Sequence, residues 1–425
     1  MNFPPEIRRP LRNIVIGQCA GLLGPLLFSN GFMLAYVLRL NLPAYRILFL
    51  FALLQLIGMA LTLPFAWLAD CCGKKRLGGT GMAVSIGGFL LLPLAAFTPD
   101  HAVWWLTAGI IIFAVGNTAN NASWFALLSP LVPEDIRGRW FGQMRISWQT
   151  SSILFSLCLT VLLRHHPEIY IFQILLAVTG VLMVVRLIFY LQIPELDPVH
   201  PPRAGFFRTL GLLIQKPEYL RFCIYSGLLS FGNAATGLFG LLQKETLGFS
   251  DSQLVMMGNI LSIGTVAGFF IGGRMVDRMG AKPVFLYGHI LFATALSGIL
   301  LRGFLPLQPV PVMGLAAFFC GAVQGAAGIA STSELLALIP AENKSLSTGF
   351  NLTLMAAGAS LAGFLPGHLL KLKLVPDQWI LAGQTLSSYD LLLAGFTVLT
   401  VALAATLGLV PTIEHLRSQW FPQNR

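Results

Sequence analysis

Charged residues are scarce in this sequence. Only 10% of the 425 residues are Asp, Glu, Lys or Arg, whereas 56% are hydrophobic, and the mean hydropathy is +0.76. So few charges cannot solvate the surface of a globular protein of this size. We therefore predict an integral membrane protein.

The sequence also lacks the signatures of several other classes. It contains no G-x-x-x-x-G-K-[ST] phosphate loop, which argues against ATP-driven transport by this chain alone. The first apolar run is too long for a cleaved secretory signal and lacks a small-residue cleavage pattern. The six cysteines lie in apolar runs or in one loop, so we expect no structural disulfide. No nearby His or third Cys completes a metal site at Cys71 and Cys72, and we expect no cofactor.

Long apolar runs recur along the whole chain. A hydrocarbon core about 30 Å thick needs about 20 apolar residues per helical span, and the runs are far longer than the alternating strands of a membrane barrel. We predict an all-α membrane protein with twelve transmembrane helices, at approximately 14–38, 45–68, 79–97, 103–129, 141–163, 168–193, 219–243, 253–275, 283–303, 311–337, 346–370 and 389–410.

Two loop patterns each occur twice, at the same ungapped offset of 207 positions. In the first loop Asp70, Gly73 and Lys75 correspond to Asp277, Gly280 and Lys282, and in the second Pro133, Asp135, Arg137 and Gly142 correspond to Pro340, Glu342, Lys344 and Gly349. Seven matches at one offset indicate a duplicated unit, which is how many secondary transporters are built. We predict two pseudo-symmetric six-helix halves, 1–193 and 219–425, joined by a proline-rich cytoplasmic linker at 194–218.

The Lys and Arg residues are distributed unevenly between alternate loops. Of the 27, 19 fall in or beside the loops on the side of the termini, and seven fall on the other side. Short basic loops stay in the cytoplasm, so we predict cytoplasmic termini and a multi-pass protein of the plasma membrane, which in bacteria is the inner membrane. The net charge of +10 then reflects topology and contact with anionic lipid headgroups. Because the basic residues are dispersed over many loops, we expect no nucleic-acid partner.

The second copy of the first loop has the complete pattern G-x-x-x-D-R-x-G-x-K, at Gly273, Asp277, Arg278, Gly280 and Lys282. This pattern resembles the loop motif of the major facilitator superfamily, and twelve spans in two halves resemble the same superfamily over essentially the whole chain. The resemblance implies alternating access, with the motif Asp and Arg in a charge network that latches the cytoplasmic ends of the halves together when the cavity faces outward.

The first copy departs from the motif, because Ala66 replaces the leading glycine and Cys71 replaces the arginine. Two features have a physical reason that does not depend on the resemblance. A carboxylate near a helix N-terminus gains up to about 1 kcal/mol from the helix dipole, which we expect for Asp70 and Asp277, and glycine permits a tight turn. The alternative is that these loops only fix the topology.

The resemblance places spans 1, 4, 7 and 10 around the substrate cavity, so polar residues in these spans are the candidates for solute contacts. Asn117, Asn120, Asn121 and Trp124 have the spacing of one helix face, and the same offset relates Asn117 to Gln324. The alternative for each amide is hydrogen bonding between helices. The predicted substrate-binding residues are Asn30, Asn117, Asn120, Asn121, Trp124, Gln149, Asn233, Gln324 and Ser331.

Few charged residues fall within the spans. We interpret Arg145 and Glu334, at similar depths in opposite halves, as an inner gate pair; the alternatives for Glu334 are a local ion pair with Lys344 and a proton carrier. We expect Arg186 in span 6 to extend toward the inner headgroups. The predicted gating and loop-motif residues are Asp70, Gly73, Lys75, Arg137, Arg145, Asp277, Arg278, Gly280, Lys282 and Glu334.

These features predict a monomeric secondary active or facilitative transporter, such as a symporter, for a small polar or zwitterionic organic solute, with a coupling proton or other ion as a further partner. An amide-rich cavity with one Arg and one Glu suits such a solute better than a hydrophobic cation. One alternative is a drug or metabolite efflux antiporter, although span 5 lacks the G-x-x-x-G-P-x-x-G-G pattern that is typical of drug/proton antiporters. The other is a sensor with this fold that does not transport. We expect no enzyme, because no His, Asp and Glu cluster converges near one interface.

Overall fold

Helices that are long and apolar enough to cross a membrane make up most of the protein. The computed structural model describes residues 5–128, 130–132, 137–196, 210–211, 214–304, 308–338, 344–381 and 383–407, and twelve such helices occur within them. The predicted architecture of twelve transmembrane helices is confirmed. Several sequence predictions lie outside the described residues: Pro133, Asp135, Pro340, Glu342, the side chain of Arg137, and residues 197–209 and 212–213 of the predicted linker.

The chain divides into two compact units, residues 1–210 and 211–425. In the first unit, span 1 consists of three consecutive helices, Pro5–Gly21, Leu23–Ser29 and Phe32–Arg39. Spans 2 to 6 are Ala44–Cys72, Lys74–Leu91 with a 3-10 extension at Leu92–Ala96, Ala102–Leu128, Arg137–His165 and Ile169–Leu191, and a short 3-10 turn at Pro99–His101 precedes span 4.

In the second unit, span 7 is interrupted in the same manner as span 1. It consists of Pro217–Asn233, Thr236–Leu241 and a π-helical turn at Leu242–Thr246. Spans 8 to 12 are Asp251–Met279, Ala281–Leu300, Pro309–Leu338, Lys344–Lys371 and Ser388–Thr406.

Glycines allow close crossings of helices within each unit. Spans 3 and 4 approach so closely that a Cβ on Gly81 would lie 2.7 Å from the carbonyl oxygen of Gly116. In the second unit, a Cβ on Gly268 in span 8 would overlap the carbonyl oxygen of Ala322 in span 10. Without a hydrophobic driving force between helices in lipid, such backbone contact is a main source of helix association.

The two motif glycines form one-residue junctions between consecutive helices. Gly73 has φ +95° between Cys72, which ends span 2, and Lys74, which begins span 3. Gly280 has φ +80° at the matching junction between spans 8 and 9. Positive φ is strained for residues with a Cβ, so the repeated glycines have the physical role expected from the sequence.

A β-hairpin between spans 11 and 12 was not expected from the sequence. Gln378–Leu381 pairs antiparallel with Gln384–Ser387, and Gly383 at the turn has φ +80°. The indole nitrogen of Trp379 donates to the main-chain oxygen of Ser387 at 3.2 Å. The two strands have four residues each, which is too short to stand out in the sequence beside the long apolar runs.

Candidate functional site

A polar cluster in the second unit surrounds the interruption of span 7. Because the helix stops at Asn233 and resumes at Thr236, the main-chain oxygen of Asn233 loses its usual helical donor. The amide nitrogen of Gln324 in span 10 donates to this oxygen at 3.2 Å and approaches the hydroxyl of Thr236 at 3.4 Å. The Thr236 hydroxyl donates to the same oxygen at 3.0 Å. The structure therefore brings the predicted residues Asn233 and Gln324 together.

This cluster leaves hydrogen-bonding capacity unused. Gln324, Asn233 and Thr236 are half-buried, and the interactions of Gln324 within the described residues all use its amide nitrogen. Its carbonyl oxygen is therefore a strong acceptor without a protein donor in the described part of the chain. Polar groups are retained inside membrane helices at a cost and usually have a function.

Asn30 occupies the corresponding interruption in span 1, but its side chain is already used. Its amide oxygen accepts the backbone N–H of Phe32 at 3.1 Å, and its amide nitrogen donates to the hydroxyl of Ser156 in span 5 at 2.9 Å. Asn30 is also buried. Its amide therefore closes the break between the helices and ties span 1 to span 5, as in the alternative of hydrogen bonding between helices.

The predicted polar face of span 4 is divided between two environments. Asn117 is half-buried and Asn121 is exposed, whereas Asn120 and Trp124 are buried within the first unit. Asn120 is 1% exposed, and its amide oxygen accepts a hydrogen bond from Arg186 at 3.0 Å. Of these four predicted residues, Asn117 and Asn121 therefore remain accessible.

The expectation that Arg186 extends to the headgroups is wrong. Arg186 is only 7% exposed and points into the first unit, where its guanidinium bonds to Asn120 and lies 5.9 Å from the ring centre of Trp124. Tyr190 stacks on the same indole ring. The side chain fits because Gly21 in span 1 lacks a Cβ, which would overlap the aliphatic part of Arg186. Span 6 therefore presents this arginine to its neighbours and not to lipid.

The remaining predicted contacts have different exposures. Gln149 in span 5 is buried, and Ser331 in span 10 is half-buried.

Arg145 is half-buried in span 5, and Glu334 is buried in span 10, where it takes part in an interaction. Arg145 and Glu334 belong to different units, and their pairing as a gate stays a prediction.

Next to the first loop motif, a carboxylate lies at the N-terminus of span 3. It belongs to Glu195, which is outside the motif. Asp70 is half-buried in the last turn of span 2. The two oxygens of Glu195 accept the backbone N–H groups of Lys74 and Lys75, at 2.7 and 3.3 Å, in the first turn of span 3. Glu195 therefore makes hydrogen bonds and a helix-dipole interaction at this N-terminus, whereas Asp70 lies in the preceding helix. No local signal in the sequence linked Glu195, more than 100 positions away, to this helix.

The aspartate of the second motif loop is more exposed than the aspartate of the first loop. Asp277 and Arg278 are exposed in the last turn of span 8, and Lys282 is half-buried near the start of span 9. An exposed Asp and Arg at this junction remain available to a partner outside the helix. Their predicted role in a charge network stays a prediction.

Ion pairs at the other end of the second unit were also missed by the sequence analysis. Arg302 binds Asp390 through two hydrogen bonds of 2.5 and 3.0 Å, and Asp390 also accepts from the backbone and hydroxyl of Ser387. Lys244 pairs with Asp251 at 2.6 Å. These pairs join the loop ends of spans 7, 8, 9 and 12. From the sequence, Arg302 and Lys244 are interpretable only as topology signals.

Among the described residues, no group of His, Cys, Asp and Glu side chains could hold a metal ion. The polar clusters consist mainly of amides and hydroxyls, which can recognise a polar solute by hydrogen bonds.

Comparisons with known proteins agree with this architecture. The family model described as Major Facilitator Superfamily matches residues 18–363. No curated protein matches the sequence significantly.

Among solved structures, a mutant of the nucleoside transporter NupG is similar with a TM-score of 0.69 and 17% identity, covering 95% of this chain and 100% of that one. A POT family transporter in complex with 5-aminolevulinic acid is similar with a TM-score of 0.71 and 14% identity, covering 95% and 97%. At such identities the likeness shows a shared fold.

Proposed function

The chain belongs to the major facilitator superfamily, and on this basis we propose that it carries a small polar or zwitterionic organic solute across the plasma membrane by alternating access. The observation that carries the proposal is the half-buried Gln324 cluster at the interruption of span 7, with an amide oxygen that has no protein donor among the described residues. A solute that donates a hydrogen bond would satisfy this oxygen.

The solute contacts that we propose are those with accessible, uncommitted polar atoms. Gln324 and Asn233 in the second unit meet this condition through the Gln324 amide oxygen and the Asn233 side chain. Asn117 and Asn121 in the first unit, which are half-buried and exposed, also meet it. Asn30 and Asn120 have structural partners instead. Gln149 and Ser331 also remain proposed contacts. Gln149 is buried, whereas Ser331 is half-buried.

A polar solute fits this chemistry better than a hydrophobic cation. A hydrophobic cation would favour an accessible carboxylate within the spans. Glu334 does not provide one, because it is 4% exposed and takes part in an interaction. Amides both donate and accept hydrogen bonds, so they suit solutes that carry hydroxyl, amine and carboxylate groups. Nucleosides and 5-aminolevulinic acid, named with the similar structures, are solutes of this kind.

A thermal-shift screen of the purified protein tests this proposal. The panel contains nucleosides, 5-aminolevulinic acid and other amino acids, with tetraphenylphosphonium as a hydrophobic cation. A ligand at 100 times its Kd stabilises the folded state by about 2.7 kcal/mol. We expect a polar member to raise the Tm of the parent and of Gln215→Ala, at an exposed site, but to raise that of Asn117→Ala less. Stabilisation by tetraphenylphosphonium alone would contradict the proposal.

A further inference from the structure

A small cavity lies inside the first unit, between spans 1, 3, 4 and 6. Its walls include Gln18 from span 1, Trp124 from span 4, and Arg186 and Tyr190 from span 6. The space holds roughly one water-sized particle. It is separate from the accessible amides Asn117 and Asn121, which do not line it.

The cavity has an uncompensated positive charge in its wall. Arg186 is buried, and its hydrogen bond goes to the neutral amide of Asn120. The neighbouring aromatic ring of Trp124 offers only a weak electrostatic attraction. Within the described residues Arg186 makes no ion pair, and a buried charge without a counter-charge strongly destabilises a fold.

Two polar groups of the cavity wall also have no hydrogen-bond partner. They are the Nε of Arg186 and the amide oxygen of Gln18, and the residue Gln18 is only 4% exposed. No other hydrogen bond of the Gln18 side chain is found in the described part of the chain. Because the oxygen and nitrogen of an amide are assigned by their partners, a rotation of the Gln18 amide by 180° would place its N–H₂ group at the position of this unpartnered oxygen. The cavity would then present hydrogen-bond donors from both residues.

We propose that this cavity binds a monovalent anion of halide size. The guanidinium of Arg186 supplies the compensating charge and a hydrogen bond from Nε–H, and the amide of Gln18 supplies a second hydrogen bond. A water molecule would satisfy the hydrogen bonds but would leave the charge uncompensated. The small space excludes larger organic anions. The bound anion joins spans 1 and 6, and it stabilises the first unit independently of the transported solute.

Isosteric substitutions provide the test. Asn120→Asp places a carboxylate 3.0 Å from the Arg186 guanidinium, and Gln18→Glu places one in the cavity wall, so each variant has a built-in anion. Gln215→Glu makes the same charge change at an exposed site and is the matched control. The thermal unfolding of the full-length protein in detergent is measured in sodium chloride, sodium bromide and sodium gluconate at equal ionic strength.

For the parent and Gln215→Glu, we expect chloride and bromide to raise the Tm above its value in gluconate, by roughly 3 °C when the halide is at ten times its Kd. In Asn120→Asp and Gln18→Glu this difference should disappear, and the Tm in gluconate should reach the parent value in chloride. Equal Tm values of the parent in chloride and gluconate would overturn the proposal. A full chloride response in both carboxylate variants would do the same, because it would show that the salts act elsewhere.

Discussion

The amide nitrogen of Gln324 in span 10 donates a hydrogen bond of 3.2 Å to the main-chain oxygen of Asn233, where span 7 is interrupted. One side chain thus satisfies the main-chain oxygen at the interruption of span 7, and in our proposal its own amide oxygen accepts a hydrogen bond from the solute. Under the proposed function, the amide would couple the geometry of span 7 to solute recognition, because both would depend on the same planar group.

Gln324→Ala removes both interactions. We expect solute binding to weaken by about 2- to 10-fold, since a single hydrogen bond contributes about 0.5–1.5 kcal/mol. The Tm without solute should fall slightly, because the Asn233 oxygen loses a donor. Thr332→Ala, at an exposed site on the same span, is the control. Ligand titrations monitored by thermal shift measure the effect, and equal affinities of Gln324→Ala and the parent would show that the amide does not contact the solute.

Asn120→Ala should act on stability, because its partner Arg186 is buried and charged. A hydrogen bond to a charged group contributes about 1.5–3 kcal/mol, and we expect a loss of this size. Asn121→Ala changes the exposed neighbour on the same helix and should leave the Tm nearly unchanged. Thermal unfolding of both variants measures the difference. Similar Tm values for the two variants would mean that the Arg186 contact contributes little.

Glu195→Gln should weaken the junction between spans 2 and 3. The carboxylate accepts two backbone N–H groups at the start of span 3, and loss of its charge reduces both the hydrogen bonds and the dipole interaction, by about 1 kcal/mol. Glu168→Gln is the control, because Glu168 precedes span 6 without a side-chain cap. Hydrogen exchange of the first turn of span 3 should accelerate in Glu195→Gln alone; unchanged exchange there would argue against the cap.

The distribution of basic residues predicts which loops face the cytoplasm. Cys71 and Cys72 at the end of span 2 should react with a membrane-impermeant maleimide in cells only after permeabilisation. Cysteines introduced at His166 and Gln378, both exposed, should react from outside in intact cells. Replacement of Cys71 and Cys72 by Ser provides the background for these two variants. Labelling of Cys72 in intact cells would reverse the predicted orientation.

Hydropathy and glycine patterns predicted much of the fold. Twelve spans follow from apolar length alone, and the sharp junctions at Gly73 and Gly280 follow from the conformational freedom of glycine. The short hairpin at 378–387 was missed, because four-residue strands give little signal beside long apolar helices.

The sites were less predictable, because periodicity shows which residues share a helix face but not what that face meets. The spacing places Asn117 and Asn120 on the same polar face, yet of the two it is Asn120 that binds Arg186. The contact depends on the absence of a side chain at Gly21 in another span. The Glu195 cap likewise joins residues that are distant in sequence.

Transport of a polar solute is the central claim, and flux in proteoliposomes tests it most directly. The purified protein and Gln324→Ala are reconstituted in parallel, and uptake of radiolabelled nucleosides, 5-aminolevulinic acid and amino acids is followed against protein-free vesicles. We predict saturable uptake of at least one of these solutes by the parent, with a higher KM in Gln324→Ala. Binding of a solute in the thermal-shift screen with no uptake by the reconstituted parent, at any imposed ion gradient, would contradict a carrier and favour a sensor with this fold.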